Sequence, residues 1–138
     1  MQMKQYCKYI LLFLAISAIT ACKNNNIDGE LSDGQKLEIL DIKLEKTPND
    51  AALLAERARV LLNLGRTKDA IYDANRAANL KPENVEYRML QADACMANGN
   101  ADDSYKALTE AERLDPDNME VQLKMGEITF YKDRKSVV

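Results

Sequence analysis

Residues 48–116 repeat themselves. Broken at Pro48, Pro82 and Pro116, the stretch aligns without a gap at a period of 34 residues. Asn49-Asp50 answers Glu83-Asn84, and Asp117-Asn118 opens a third line. Ala58 answers Ala92 and then Gly126, and Gly65 answers Gly99. Ala70 answers Ser104, Ala77 answers Ala111, and Leu80-Lys81-Pro82 answers Leu114-Asp115-Pro116. A repeat of this length limits the fold sharply. Each unit is too small to close an interior alone, so successive units must stack and share one.

Within a unit, the residues read as two short helices. Leu53, Leu54, Ala58, Leu61, Leu62 and Leu64 recur at helical spacing. Asp50 is an expected N-cap, because its carboxylate can accept an orphan backbone N–H. Gly65 sits just past the last turn, where a positive φ is often needed. Thr67 is expected to cap the next helix, with Ala70, Ile71, Ala74, Ala77 and Leu80 facing inward. Pro82 then stops that helix, since proline disfavours helix in the residue before it. Ala58 and Ala92 midway along each first helix, and Ala70 and Ser104 early in each second one, leave room for two helices to approach closely.

The period, the glycine between the helices and the closing proline resemble the tetratricopeptide repeat. The large signature residues depart from that family. Its first aromatic position holds Leu54, Arg88 and Gln122, and its usual leucine position holds Arg57, Gln91 and Met125. Its next aromatic position holds Leu61, Cys95 and Thr129, and the one in the second helix holds Ala74 and Leu108. The resemblance implies an all-α solenoid of antiparallel helix pairs in about two and a half repeats: residues 49–82, 83–116 and a partial 117–138. The helical domain is expected over 35–138. So short an array is near the lower limit for independent stability, and modest stability is expected.

Both ends of the array carry further helices. Leu37, Leu40 and Leu44 over residues 35–46 predict a helix in the place of a preceding second helix, covering one end of the stack. At the other end, Val121, Met125, Ile128 and Thr129 continue the inward pattern, but Lys132-Asp133 replaces the expected turn. Apolar surface around Ile128, Phe130 and Tyr131 then lacks an obvious cover, whereas arrays usually end in a polar capping helix. Three readings stay open: a truncated gene product, end-to-end self-association, and a helix that covers itself.

Residues 1–21 read as a signal peptide. Lys4 and Lys8 precede the apolar run of residues 10–21, interrupted by Ser17 and Thr20. The run is shorter than the roughly 20 residues a spanning helix needs. Its end, Ile19-Thr20-Ala21-Cys22, resembles the lipobox of bacterial lipoproteins. That resemblance implies a diacylglyceryl thioether on Cys22, cleavage before it and usually a third chain on the new amine. The alternative is an ordinary signal peptide with a chance cysteine. Two acyl chains suffice for a stable anchor. Lys23 follows, where an Asp commonly retains lipoproteins in the inner membrane, so an outer-membrane site facing the periplasm is expected. The polar, turn-rich residues 22–34 read as a flexible tether. With Cys7 in the signal and Cys22 lipidated, Cys95 has no disulfide partner and is expected as a buried core thiol.

Composition narrows the chemistry. A formal charge of −3 and a pI near 5.1 argue against nucleic-acid binding. Histidine is absent, which removes the commonest general base and metal ligand. No Gly-rich phosphate loop and no Cys/His metal spacing occur, so no cofactor, metal or catalytic residue is expected. The pair Asp102-Asp103 opens a helix, where negative charge complements the dipole.

The family resemblance places function on the concave face lined by the first helices. Carried over by repeat position, it implies a peptide-binding groove that includes Glu56 and Arg59, then Met89, Asp93 and Met96, then Lys124 and Glu127. Leu123, Phe130 and Tyr131 fall on the same face. Ordinary solvated helix faces are the competing reading. The excess of acid favours basic or mixed ligands. The two-carboxylate clamp of chaperone adaptors is not implied, because the matching places hold Ala55, Arg59, Leu90, Glu120 and Lys124. The expected function is a non-catalytic, lipid-anchored protein-interaction adaptor in the bacterial cell envelope. A self-assembling structural subunit is the alternative.

Overall fold

In a computed structural model, residues 31–136 are described. The expected signal peptide, Cys7, the lipidation site Cys22 and most of the expected tether lie outside them. The described residues form six α-helices and no strand: α1 (Asp33–Lys46), α2 (Ala51–Asn63), α3 (Thr67–Leu80), α4 (Val85–Ala97), α5 (Ala101–Leu114) and α6 (Met119–Ser136). Helices α2 and α3 form one hairpin, α4 and α5 the next, and α6 opens a third.

The turns follow the glycines. Gly65 has φ 71° and Gly99 has φ 78°, the left-handed conformation that L side chains rarely adopt. Each turn is closed the same way. The N–H of Arg66 donates to the carbonyl of Leu61, and that of Asn100 to Cys95. First helices share a side-chain cap. Asp50 Oδ1 accepts from the backbone of Ala52 and Leu53, Asn84 Oδ1 from Tyr87, and Asn118 Oδ1 from Glu120 and Val121.

Four details depart from the sequence reading. Thr67 does not cap α3. Arg66 holds the N-cap position without a side-chain cap bond, while Thr67 Oγ1 donates to Asn98 Oδ1 at 3.1 Å. Leu80 is exposed, and Ala78 takes its inward place. At about 100° per residue, Ala78 falls beside Ala74 on the buried arc, and Leu80 falls outside it. Thr129 is exposed too, its hydroxyl donating to the carbonyl of Met125 within its own helix. Finally, α1 starts inside the expected tether. Ser32 accepts from Gln35 N–H while the Gln35 side chain accepts from Ser32 N–H, a reciprocal cap that extends order back to Ser32.

Helix α6 is longer than the others and runs through Lys132-Asp133 to Ser136. No glycine stands at 133 to match Gly65 and Gly99, so no residue there favours the turn. Lys132 instead reaches back to Asp102 at 2.7 Å and lies over the Tyr105 ring, tying α6 to α5.

Two clusters make the interior. Leu44, Leu54, Leu61, Ala74 and Leu90 belong to the first, which spans α1 to α4. Ala92, Leu108, Ala111, Val121 and Ile128 belong to the second, which spans α4 to α6. Helix α4 is the shared wall, with Leu90 and Ala94 on one side and Ala92 on the other. Small residues set the close approaches: Ala58 and Ala70 are fully buried, and the buried Ser104 donates to the Ala92 carbonyl at 2.8 Å. Cys95 is buried and free.

One polar layer crosses the helices at the position where the repeat family keeps a leucine. Arg57 Nε and Nη2 donate to Asp73 Oδ2 and Oδ1 at 2.6 and 2.9 Å, and Nη1 donates to Asp41 at 2.7 Å. Arg57 thereby joins α2 to both α1 and α3. One repeat later, Gln91 donates to Asn75 at 2.8 Å. The bonds to Asp73, with Asp41 adding to them against the opposing effect of burial, hold the Arg57 guanidinium well above its ordinary pKa.

Candidate peptide-binding groove

The first helix of each unit supplies one wall of a cleft of about 800 Å³. Arg59, Leu62 and Asn63 come from α2, and Val85, Glu86, Met89, Leu90 and Asp93 from α4. The loop residues Asp115 and Asn118 and the first turn of α6, through Glu120, close the third side. The floor forms where the interior reaches the surface. Leu62 and Leu90 pack with the first cluster, while Val85 and Met89 pack with the second.

Of the residues expected to form the groove, Arg59, Met89 and Asp93 line this cleft. Lys124 stands at its edge, donating to Asp93 Oδ1 at 2.7 Å with Glu120 at 3.9 Å. Glu56 and Glu127 are exposed but are not among the lining residues. Met96 is half-buried and packs into the second cluster. Its helix position matches the groove face, but α4 lines the cleft only as far as Asp93, and Met96 packs in the core seam beyond it.

The sequence reading missed Val85, Asp115 and Asn118. The last two lie between helices, so a face-by-face reading of helices overlooks them. Their signal was the 34-residue register, since Asn118 aligns with the cap Asn84. Asn118 is held by its capping bonds and by donation to Asp115 at 3.0 Å.

The electrostatics of the cleft are one-sided. Glu86, Asp93, Asp115 and Glu120 face Arg59, with Lys124 committed to Asp93. Such a site attracts cations along the rim and offers aliphatic contact on the floor. Among the described residues, no group of three or more His, Cys, Asp or Glu side chains is placed to hold a metal. Among them, also, no helix is long and apolar enough to cross a membrane.

No protein-family model matches the sequence, and no curated protein matches it. Solved structures do. The first tetratricopeptide domain of Spaghetti (RPAP3), bound to the HSP90 peptide SRMEEVD, superposes with a TM-score of 0.69 at 18% identity, covering 73% of this chain and 80% of that one. The first such domain of human RPAP3 gives 0.70 at 18% identity, covering 75% and 82%. The second human RPAP3 domain, in complex with the HSP70 peptide SGPTIEEVD, gives 0.66 at 18% identity, covering 70% and 81%. At this identity the likeness speaks to architecture, and on that ground the chain has the tetratricopeptide-type all-α fold.

Proposed function

We propose that this chain is a non-catalytic adaptor that takes a basic or mixed peptide segment, extended or helical, in the cleft between α2, α4 and the start of α6. The observation that carries the reading is an apolar floor of Leu62, Val85, Met89 and Leu90 under a rim of Glu86, Asp115 and Glu120. The two domains solved with peptides hold sequences ending EEVD. Here the rim is itself acidic, so an acidic C-terminus is disfavoured and a Lys- or Arg-bearing segment is favoured.

The adaptor is anchored through Cys22, acylated after removal of residues 1–21, on a bacterial envelope membrane. An outer membrane facing the periplasm is the reading that Lys23 supports. Two or three acyl chains hold a protein on a bilayer without any spanning helix.

The binding test is a panel of fluorescent peptides of about a dozen residues, basic, neutral and acidic, titrated with the full chain at two salt concentrations. Basic peptides with a central aliphatic residue are expected to bind, more weakly at high salt, and to lose binding to Glu86→Lys and Met89→Ala. Equal affinity for acidic and basic peptides, or unchanged binding by both variants, overturns the groove reading. The anchor test is mass spectrometry of the mature N-terminus together with Cys22→Ser. An unmodified Cys22, or a Cys22→Ser chain that stays in the membrane fraction, overturns the anchor.

A further inference from the structure

Helix α6 has two apolar faces. Val121 and Ile128 are buried against α4 and α5. On the opposite side run Met119, Leu123, Gly126 and Phe130, at i, i+4, i+7 and i+11. Met119 is 82% exposed, Leu123 64% and Phe130 68%, the three largest values among the exposed large hydrophobic residues of the described chain. An isolated exposed leucine is ordinary. Three large side chains and a glycine in one line, spaced by four, three and four residues, form the seam by which two helices pack along their length.

Gly126 lies at the middle of that seam. A Cβ built there meets nothing within 4 Å. At the matching places in the two preceding units, Ala58 and Ala92 are buried beneath α3 and α5. At Gly126 another helix can come as close as those helices do, or closer.

We propose that this seam is covered by the same seam of a second copy, with the two α6 helices antiparallel about a two-fold axis at Gly126. The charges choose both the occupant and its direction. Along the rim of the seam, Glu120 stands in the first turn and Arg134 in the last. An antiparallel copy about that axis brings Glu120, six residues before it, within side-chain reach of Arg134 of the second copy, eight residues past it on the same flank, twice per dimer, and packs Leu123 against the turn that carries the second copy's Phe130. A parallel copy would leave Glu120 and Arg134 about 21 Å apart along the seam, with no such pair. The same axis brings Glu127, one residue from it, near Glu127 of the second copy on the solvent side. That contact opposes pairing weakly, and it gives the arrangement a signature. The pairing is the isologous contact expected of a closed dimer. One pair of helices about 27 Å long makes an interface at or below about 1,200 Å², so dissociation is expected at micromolar concentration. The inference rests on α6 alone and does not depend on the peptide reading of the cleft.

Sedimentation equilibrium of the full chain in density-matched detergent, from one to a hundred micromolar (roughly the range set by the interface size), tests it. A monomer–dimer equilibrium is expected. Leu123→Glu and Phe130→Glu each give monomer with an unchanged helical spectrum, since both side chains are exposed. Glu120→Arg weakens the dimer several-fold, and Glu120→Arg with Arg134→Glu restores it. Glu127→Gln tightens it. A wild-type chain that is monomeric throughout, or a dimer indifferent to Leu123→Glu, overturns the proposal. A dimer that Leu123→Glu abolishes, but whose weakening by Glu120→Arg is not reversed by adding Arg134→Glu, overturns it as well, because the copies are then not antiparallel about Gly126.

Discussion

The Arg57–Asp73 pair should respond unequally to loss of its two members. Asp73 is 1% exposed, and its carboxylate receives two guanidinium bonds at 2.6 and 2.9 Å. The Arg57 side chain is 22% exposed and keeps a third bond, to the half-exposed carboxylate of Asp41. Arg57→Ala therefore leaves a buried negative charge without its partner, at a cost of about 3–5 kcal/mol. Asp73→Ala leaves a cation that still holds Asp41 and reaches water, so its cost is about 1–3 kcal/mol. A domain of this size has about 5–15 kcal/mol in all, so the first variant should be close to unfolding at 37 °C. The second repeat supplies the control. It holds Gln91 and Ala107 at the two matching positions, and Gln91 bonds Asn75 instead. Replacing Arg57 and Asp73 together by Gln and Ala, with Asp41→Asn, should recover most of the loss. Urea unfolding followed by circular dichroism reads all four chains, with constant slope as the check that the folded state is the same. Equal costs for the two single variants, or a triple variant as weak as Arg57→Ala, would refute the reasoning that buried charge without a partner is what destabilises.

Three further outcomes are expected. Gly65→Ala and Gly99→Ala should each cost about 1–2 kcal/mol in the same unfolding assay, from backbone strain alone, because a Cβ at either place meets nothing within 4 Å. Cys95 should resist iodoacetamide at neutral pH and react at a rate that follows unfolding. Burial raises its pKa above the ordinary 9.0, with Asp103 adding to the rise. Stability should hold a plateau at neutral pH and fall at both extremes. Bonds from Lys132 hold Asp102 below its ordinary 3.8, and bonds from Lys106 and Asn100 do the same for Asp103. These carboxylates stabilise above that value, and the contribution is lost as pH falls through their folded values. Lys106, raised above 10.5 by Asp103, stabilises below that value and loses its contribution as pH rises through its folded value. Lys132→Gln should remove the share of the acid limb that belongs to Asp102, as thermal melts between pH 2 and 6 would read.

The repeat architecture was legible before any coordinates, because it rests on local chemistry. Glycine at 65 and 99, proline at 82 and 116 and capping side chains at 50, 84 and 118 act on the few residues beside them. The 34-residue register carries that information from one unit to the next. Leu80 and the longer α6 were misread because the register was followed to helix ends, which obey their own turn geometry, and Thr129 because it matches the buried Leu61 and Cys95 while, among the described residues, no helix follows α6 to cover it. The cleft was legible only by halves. Arg59, Met89 and Asp93 follow from helix position, but Asp115 and Asn118 join them only when two hairpins stack. Lys124 leaves the free charge of the groove because α6 brings it within 2.7 Å of Asp93, a residue 31 positions away. The Arg57–Asp73–Asp41 layer was likewise invisible as a layer. Local chemistry does not state which charge meets which across three helices. Only their packing decides that, since a buried charge is tolerated where its partner is within reach.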